Sequence, residues 1–167
     1  GHNNYDWGNT NSWSNYYYVL QNNKFVYDRA VELEYPLHQG VSLVMKSFLF
    51  GLVTDLWGDI PYTEALKGNE GGEAATFPKF DSQESIYDAI LKDLEEANTL
   101  LSASSFNSSL GSADVFYGGD VAKWRKLANS LALRYYMRLA GKKPAVAKAG
   151  IEKIVGNPSQ YPIITSA

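Results

Sequence analysis

The run at residues 41–57, VSLVMKSFLFGLVTDLW, constrains this chain more than any other stretch. Only Lys46 and Asp55 carry charge within it. It falls short of the ~20 residues needed to cross a bilayer, so it reads as a buried helix over about 37–57. Val41, Val44, Met45, Phe48, Leu52 and Leu56 form its main stripe. A helix that is apolar nearly all round belongs at the centre of a fold, with other helices against it. Gly51 lets one of those neighbours come close, and Gly58 with Pro61 supplies the stop.

The rest of the chain offers helices to surround it. Trp13, Tyr16, Tyr17 and Leu20 follow helical spacing, with Phe25, Ala30 and Leu33 continuing on the inner side. Asn22-Asn23 leaves open whether this is one long helix or two short ones. Thr10, Asn11 or Ser12 can cap it, and Tyr35-Pro36 ends it. Residues 62–80 read as a loop, flexible over 68–72, with Phe77, Pro78 and Phe80 pinning its end to the core. Asp81 with Glu84 forms a capping-box arrangement. Behind it Ile86, Ile90, Leu91, Leu94, Ala97 and Leu101 make one apolar face, and Asp88 to Lys92 is a favourable pair. Asp120 caps a helix over 121–140, on which Trp124, Ala128, Leu131 and Tyr135 share a face. Pro144 opens a last helix to 155. The segment 159–167 reads as extended.

Strand signals are few. The expected class is all-α, with tetratricopeptide-like stacked helix pairs forming an α-α superhelix. The spacing of 37–57 with 81–101, and of 121–140 with 144–155, suits hairpin stacking. Clean self-similarity at that repeat period is absent.

Composition closes off several kinds of chemistry. The chain has no cysteine, so it has no thiolate nucleophile, disulfide or Cys-held zinc. Its net charge of −3 argues against a nucleic-acid face. His38 has no His or Cys partner, no stretch has EF-hand spacing, and Gly118-Gly119-Asp120 lacks the lysine of a phosphate loop. A glycosidase needs two carboxylates across a cleft. Asp55 and Asp59 read instead as turn and capping groups, and Glu95-Glu96 as a solvated helix face. Arg134 and Arg138, one turn apart, are expected to pair with acids on a neighbouring helix. No catalytic residue, metal ligand or cofactor site is assigned.

A binding surface remains. Aromatic residues make up 14% of the chain; such rings are core filler by default and are also the residue type that stacks on the apolar faces of sugars. Tyr5, Asp6, Trp7, Asn9 and Trp13 set rings among amide and acidic groups. Sugars call for that combination, a ring to stack on and planar polar groups for the hydroxyls. Trp7 is the better surface candidate, because Trp13 also suits inward packing on the first helix. Trp57 and Tyr62 flank the Gly-Asp-Ile-Pro turn and are expected to lock it.

Three stretches carry a family resemblance. FLFGLVTDLWGDIPYTEAL resembles the helix-then-turn hallmark of SusD/RagB-like proteins, a long apolar helix running into an aromatic-Gly-Asp-x-Pro-Tyr turn. PKFDSQESIYDAILKDLEEANTLL resembles the next segment of that family. DVFYGGDVAKWRKLANSLALRYYMRLAG is similar to its following helix, in the SusD-like branch with a Tyr-Gly-Gly-Asp motif. In order and at fitting spacing, they cover about residues 41–141. The resemblance implies a tetratricopeptide-like scaffold, lipid-anchored at the outer membrane of the cell surface. It implies glycan or oligosaccharide capture beside a TonB-dependent, SusC-like transporter, not catalysis. It also implies that residues 1–167 are the amino-terminal helical part of a longer fold, with the carboxy-terminal part and the lipidated cysteine outside this chain. The shared motifs are scaffold motifs, so no ligand residue transfers by position. The competing reading is a helical-repeat module that binds protein without glycan.

Overall fold

The structure, a computed structural model, describes residues 13–68 and 70–165. Six helices follow in order: α1 Ser14–Glu32, α2 Pro36–Trp57, α3 Glu73–Thr76, α4 Gln83–Leu100, α5 Val121–Leu139 and α6 Pro144–Gly156. A two-residue antiparallel ladder joins β1 Ile60–Pro61 to β2 Phe80–Asp81, with Ile60 opposite Asp81 and Pro61 opposite Phe80. A single 3₁₀ turn spans Gly111–Ala113. The five long helices pack in chain order, and α2 touches α1, α4 and α5. The chain is an all-α, tetratricopeptide-like stack, as the helix spacing and the family resemblance together lead one to expect.

The central helix is α2. At 22 residues and a mean hydropathy of 1.3 it is long and apolar enough to cross a membrane, longer than its apolar run alone suggests. More than half of that stretch is buried inside the fold, which marks it as a core helix. Of the stripe read from sequence, Val44 is buried and Val41 and Met45 pack against the core, but the buried face is not centred on it. Leu43, Val44, Phe50 and Val53 are buried, with Ser47 and Thr54 among them, whereas Phe48 and Leu56 are exposed. When apolar residues surround a helix, the hydrophobic pattern no longer says which side faces in. The small buried residues Gly40, Ser47 and Gly51 mark where neighbours approach. At Gly150 of α6 the same device admits Tyr136 of α5, whose Cγ would lie 2.5 Å from an added β-carbon.

Asn22-Asn23 does not break α1, which runs through both. The Asn23 amide donates to the Ser42 carbonyl at 2.9 Å and ties α1 to α2. The proposed caps Thr10, Asn11 and Ser12 lie outside the described residues; Trp13 precedes the helix and supplies no side-chain cap. The far end turns at Glu34, whose φ of 54° puts it in the left-handed region. Asn107 donates to the Glu34 carbonyl at 2.9 Å and so fastens a loop to a helix end. Phe25 is exposed rather than inward, because Leu20 and Ala30 already fill the contact with α2.

At α4 the cap is Ser82, not Asp81. The Ser82 hydroxyl accepts from the Ser85 amide at 3.2 Å. Asp81 is drawn away to the amides of Tyr62 and Thr63, at 3.1 and 2.7 Å. Asp88 binds Lys143, and Glu84 does so too, at 3.2 and 2.8 Å. Phe77 stands exposed and does not pin the loop. Asp120 caps α5 as expected, accepting from the Lys123 amide. Just before it, Asp114 gathers the amides of Phe116, Tyr117 and Gly119 and the Trp124 indole N–H, the last at 2.7 Å. Four donors on one carboxylate fix the Tyr-Gly-Gly-Asp turn, where Gly118 and Gly119 adopt positive φ.

Among the described residues, the buried polar side chains of the stack are satisfied. Asn129 donates to Asn98 Oδ1 at 3.0 Å and to the Pro162 carbonyl at 2.9 Å, while Arg125 reaches the same Asn98 oxygen. The tail after α6 therefore folds back on α4 and α5. Tyr161, itself buried, donates to Glu95 at 2.8 Å.

Candidate functional site

Of the sequence-derived ligand candidates, Tyr5, Asp6, Trp7 and Asn9 lie outside the described residues, and Trp13 lies within them. Trp13 stands at the start of α1, half-buried. Its ring meets Trp57 at the end of α2, with centroids 6.1 Å apart, and Phe80 of β2 at 5.7 Å. Tyr16 closes on Trp57 at 6.0 Å. Three elements distant in sequence thus bring four rings into one cluster. Phe80 is its outermost ring, 59% exposed. The other three are half-buried, so the cluster is part core and part surface.

The cluster rests on a rigid base. Tyr17 sets its edge to Trp13 at 5.8 Å and to Phe50 at 6.1 Å, and its hydroxyl donates to the Pro61 carbonyl at 2.6 Å. Burial, with Asp81 nearby, pushes the Tyr17 phenol well above its ordinary range, so it remains a donor. The turn after Trp57 is fixed from both sides. Thr54 donates to the Gly58 carbonyl, and Gly58 has a φ of 78°. Asp59 accepts from the Gln83 amide at 2.9 Å. Burial raises the Asp81 carboxyl, but the donors of Thr63 and Tyr62 outweigh it and hold the group below the usual carboxylate range. Trp57 thus joins the ring cluster beyond locking its turn, and Tyr62 turns the other way, stacking edge-on to Phe50 at 4.6 Å.

Of the carboxylates considered for catalysis, Asp55, Asp59 and Glu95 are engaged by other groups. Asp55 receives Arg138 of α5 and the Tyr87 hydroxyl, the latter at 2.6 Å. Glu95 receives Lys153 and Tyr161. Asp55, Glu84, Tyr87, Arg138, Lys142 and Lys143 line a groove of about 560 Å³ in which acids face bases. Among the described residues no group of three or more His, Asp or Glu side chains is placed to hold a metal ion.

What the ring cluster offers chemically is apolar faces next to fixed polar backbone. The sequence reading found Trp13 and its polar N-terminal neighbours. It missed Tyr16 and Phe80 as partners, because nothing local links residues 13–16 to residue 80. The signal available was the two-residue ladder, too short to stand out from a loop.

A SusD-like family model, described as starch-binding and associating with the outer membrane, matches residues 1–167. Among solved structures, a chitin-binding protein is 33% identical with a TM-score of 0.77, over 92% of this chain and 31% of that one. A SusD/RagB family protein from Bacteroides thetaiotaomicron is 30% identical with a TM-score of 0.77, over 94% and 31%. A putative outer-membrane protein from Bacteroides vulgatus, described as involved in nutrient binding, is 34% identical with a TM-score of 0.75, over 91% and 32%. The chain therefore spans about a third of the length of these structures. No curated protein matches it.

Proposed function

The chain belongs to the SusD-like family, and on that premise we propose that it is the amino-terminal helical part of a glycan-binding protein of the outer-membrane surface. The full protein is lipid-anchored, captures oligosaccharide without cleaving it, and passes it to a TonB-dependent, SusC-like transporter. The family description and the similar chitin-binding protein support a saccharide ligand.

The observation that carries the reading on this chain is the Trp13–Trp57–Phe80–Tyr16 cluster. Tyr5, Asp6, Trp7 and Asn9 precede Trp13 in sequence. Rings contribute apolar faces for sugar C–H groups, and the Asp and Asn side chains contribute hydroxyl partners. Aromatic side chains combine large contact area with little conformational freedom to lose, which suits them to shallow binding surfaces.

Calorimetric titration of the full-length protein against starch, chitin oligomers and other plant and host glycans tests the proposal. Saturable binding to at least one, with no release of reducing ends, is the expected result. Silence across the whole panel, or hydrolysis, refutes it. Co-purification from outer membranes with a TonB-dependent transporter tests the partner.

A further inference from the structure

Charge is distributed unevenly along this chain. Residues 121–156, which hold α5 and α6, contain nine of its fifteen Lys and Arg residues and one of its eighteen Asp and Glu residues, Glu152. The net charge of −3 therefore hides a cationic hairpin attached to an acidic remainder. We propose that the outward side of α5 is a membrane-facing surface, which rests on the phosphate headgroups of an anionic lipid layer.

Part of this charge is neutralised inside the fold. Arg138 pairs with Asp55, Lys143 with Glu84 and Asp88, and Lys153 with Glu95, so these cations tie the hairpin to α2 and α4. Lys126, Arg134 and Lys142 have no ion-pair partner among the described residues. Arg134 thus lacks the acid that Arg138 finds one turn later. Lys126, Ser130, Leu133, Arg134 and Met137 recur at helical spacing, so they lie along one side of α5. Four of these residues, with Arg138, line a shallow trough of about 440 Å³. Met137 is 61% exposed. Ile164, also exposed, is brought to the same side by its amide, which donates to the Ser130 hydroxyl at 2.9 Å.

The chemistry of that side selects the partner. Cationic side chains interleaved with exposed apolar ones on one helix face are the pattern of a surface that lies against lipid. The stems of Lys126 and Arg134 can cover apolar atoms while their heads reach phosphate. The face also offers donors without acceptors. It includes no carboxylate or amide side chain, and the Ser130 hydroxyl is already engaged, donating to the Lys126 carbonyl and accepting from Ile164. A layer of headgroup phosphates presents acceptors, whereas a protein surface presents donors and acceptors together. The family is described as associating with the outer membrane, which places a lipid surface within reach. The acidic remainder of the chain is repelled by the same layer, so the asymmetry also sets which side turns toward it.

Vesicle co-sedimentation of the full-length protein, expressed without lipid attachment, tests this. The probes are vesicles of phosphatidylcholine alone and vesicles containing about one third phosphatidylglycerol. Binding to the anionic vesicles should exceed binding to the neutral ones by about fivefold or more, and should fall steeply between about 0.05 and about 0.5 M salt. Lys126→Glu combined with Arg134→Glu should weaken it about tenfold or more, on the scale of two cations lost from a charged surface. Both positions are exposed, so the thermal midpoint should stay within a few degrees. Lys67→Glu combined with Lys92→Glu changes the net charge equally on other elements and should leave most of the binding. Equal binding to the two kinds of vesicle, or an equal loss in the two double variants, overturns the proposal. Binding to soluble polyglutamate without binding to anionic vesicles also overturns it, and assigns the face to an acidic protein. Glycan affinity should be unchanged in the Lys126→Glu, Arg134→Glu variant; its loss there would merge this face with the glycan site and overturn the assignment.

Discussion

Tyr135 of α5 lies directly over Gly51 of α2, so that a β-carbon at Gly51 would fall 2.5 Å from the phenol Cζ. The Tyr135 hydroxyl donates to the Ser47 carbonyl one turn earlier, at 3.1 Å. Burial pushes its pKa up to about 12. A ring this large sits flush on a helix backbone only where the opposing residue has no side chain.

Gly51→Ala is therefore expected to destabilise the protein by about 1–3 kcal/mol, the usual range for overpacking a filled core, despite the better helix propensity of alanine. Urea denaturation measures it. Adding Tyr135→Leu to Gly51→Ala should recover part of the loss, because residues in contact do not contribute additively. A stability gain in Gly51→Ala alone contradicts the packing described.

Acid should weaken the fold through Asp114. Burial raises its carboxyl, but the Trp124 indole and the amides of Gly119, Tyr117 and Phe116 outweigh burial and hold it below its ordinary value. Its folded pKa is depressed, so its stabilisation is complete above the ordinary carboxylate value of about 3.9 and is lost as pH falls through the folded value. Thermal unfolding between pH 7 and pH 2 should show that loss. Asp114→Asn should flatten the acid limb and lower stability at pH 7. Asp114→Ala should cost about 2–3 kcal/mol at pH 7, on the scale of hydrogen bonds to a charged group.

The two possible caps of α4 separate by mutation. Ser82→Ala should cost about 1 kcal/mol, the usual loss of an N-cap. Asp81→Ala should instead loosen the 62–64 turn, seen as faster amide hydrogen exchange at Tyr62 and Thr63, while α4 keeps its first-turn protection. Loss of protection at Ser85 in Asp81→Ala would return the cap to Asp81.

Phe80 offers the cleanest test of the ring cluster, because it is the most exposed member. Phe80→Ala should weaken glycan binding about tenfold or more, as for an interface ring worth over ~1.4 kcal/mol. Its stability should change by no more than about 0.5–1 kcal/mol. Trp57→Ala should lower both affinity and stability, since that ring packs on the core. Unaltered affinity in Phe80→Ala removes the cluster from the site.

The helices themselves were legible because periodicity and caps are local signals: Asp120, Pro144 and the apolar face of α4 lie where their spacing puts them. Orientation was less so. Phe48 and Leu56 read as inward on α2, yet they face out, because a helix apolar on all sides carries no amphipathic record of its own. Asp81 and Ser82 are equally good caps from sequence, and the choice is made by Tyr62 and Thr63, nineteen and eighteen residues from Asp81. The ring cluster and the Lys46–Asp93 ion pair between α2 and α4 both depend on which helices touch, and no local pattern encodes that.

The short ladder between residues 60–61 and 80–81, cinched by Asp81, has a consequence for variation within the family. It forms a neck that fixes where the chain leaves α2 and where it enters α4. The stretch beyond the neck, from Gly68 to Lys79, can then change in length or composition without shifting either helix, since closing a longer loop adds little entropy. Such a segment can be exchanged like a cassette, so new surface chemistry next to the Trp57 rings can arise while the stack beneath stays the same.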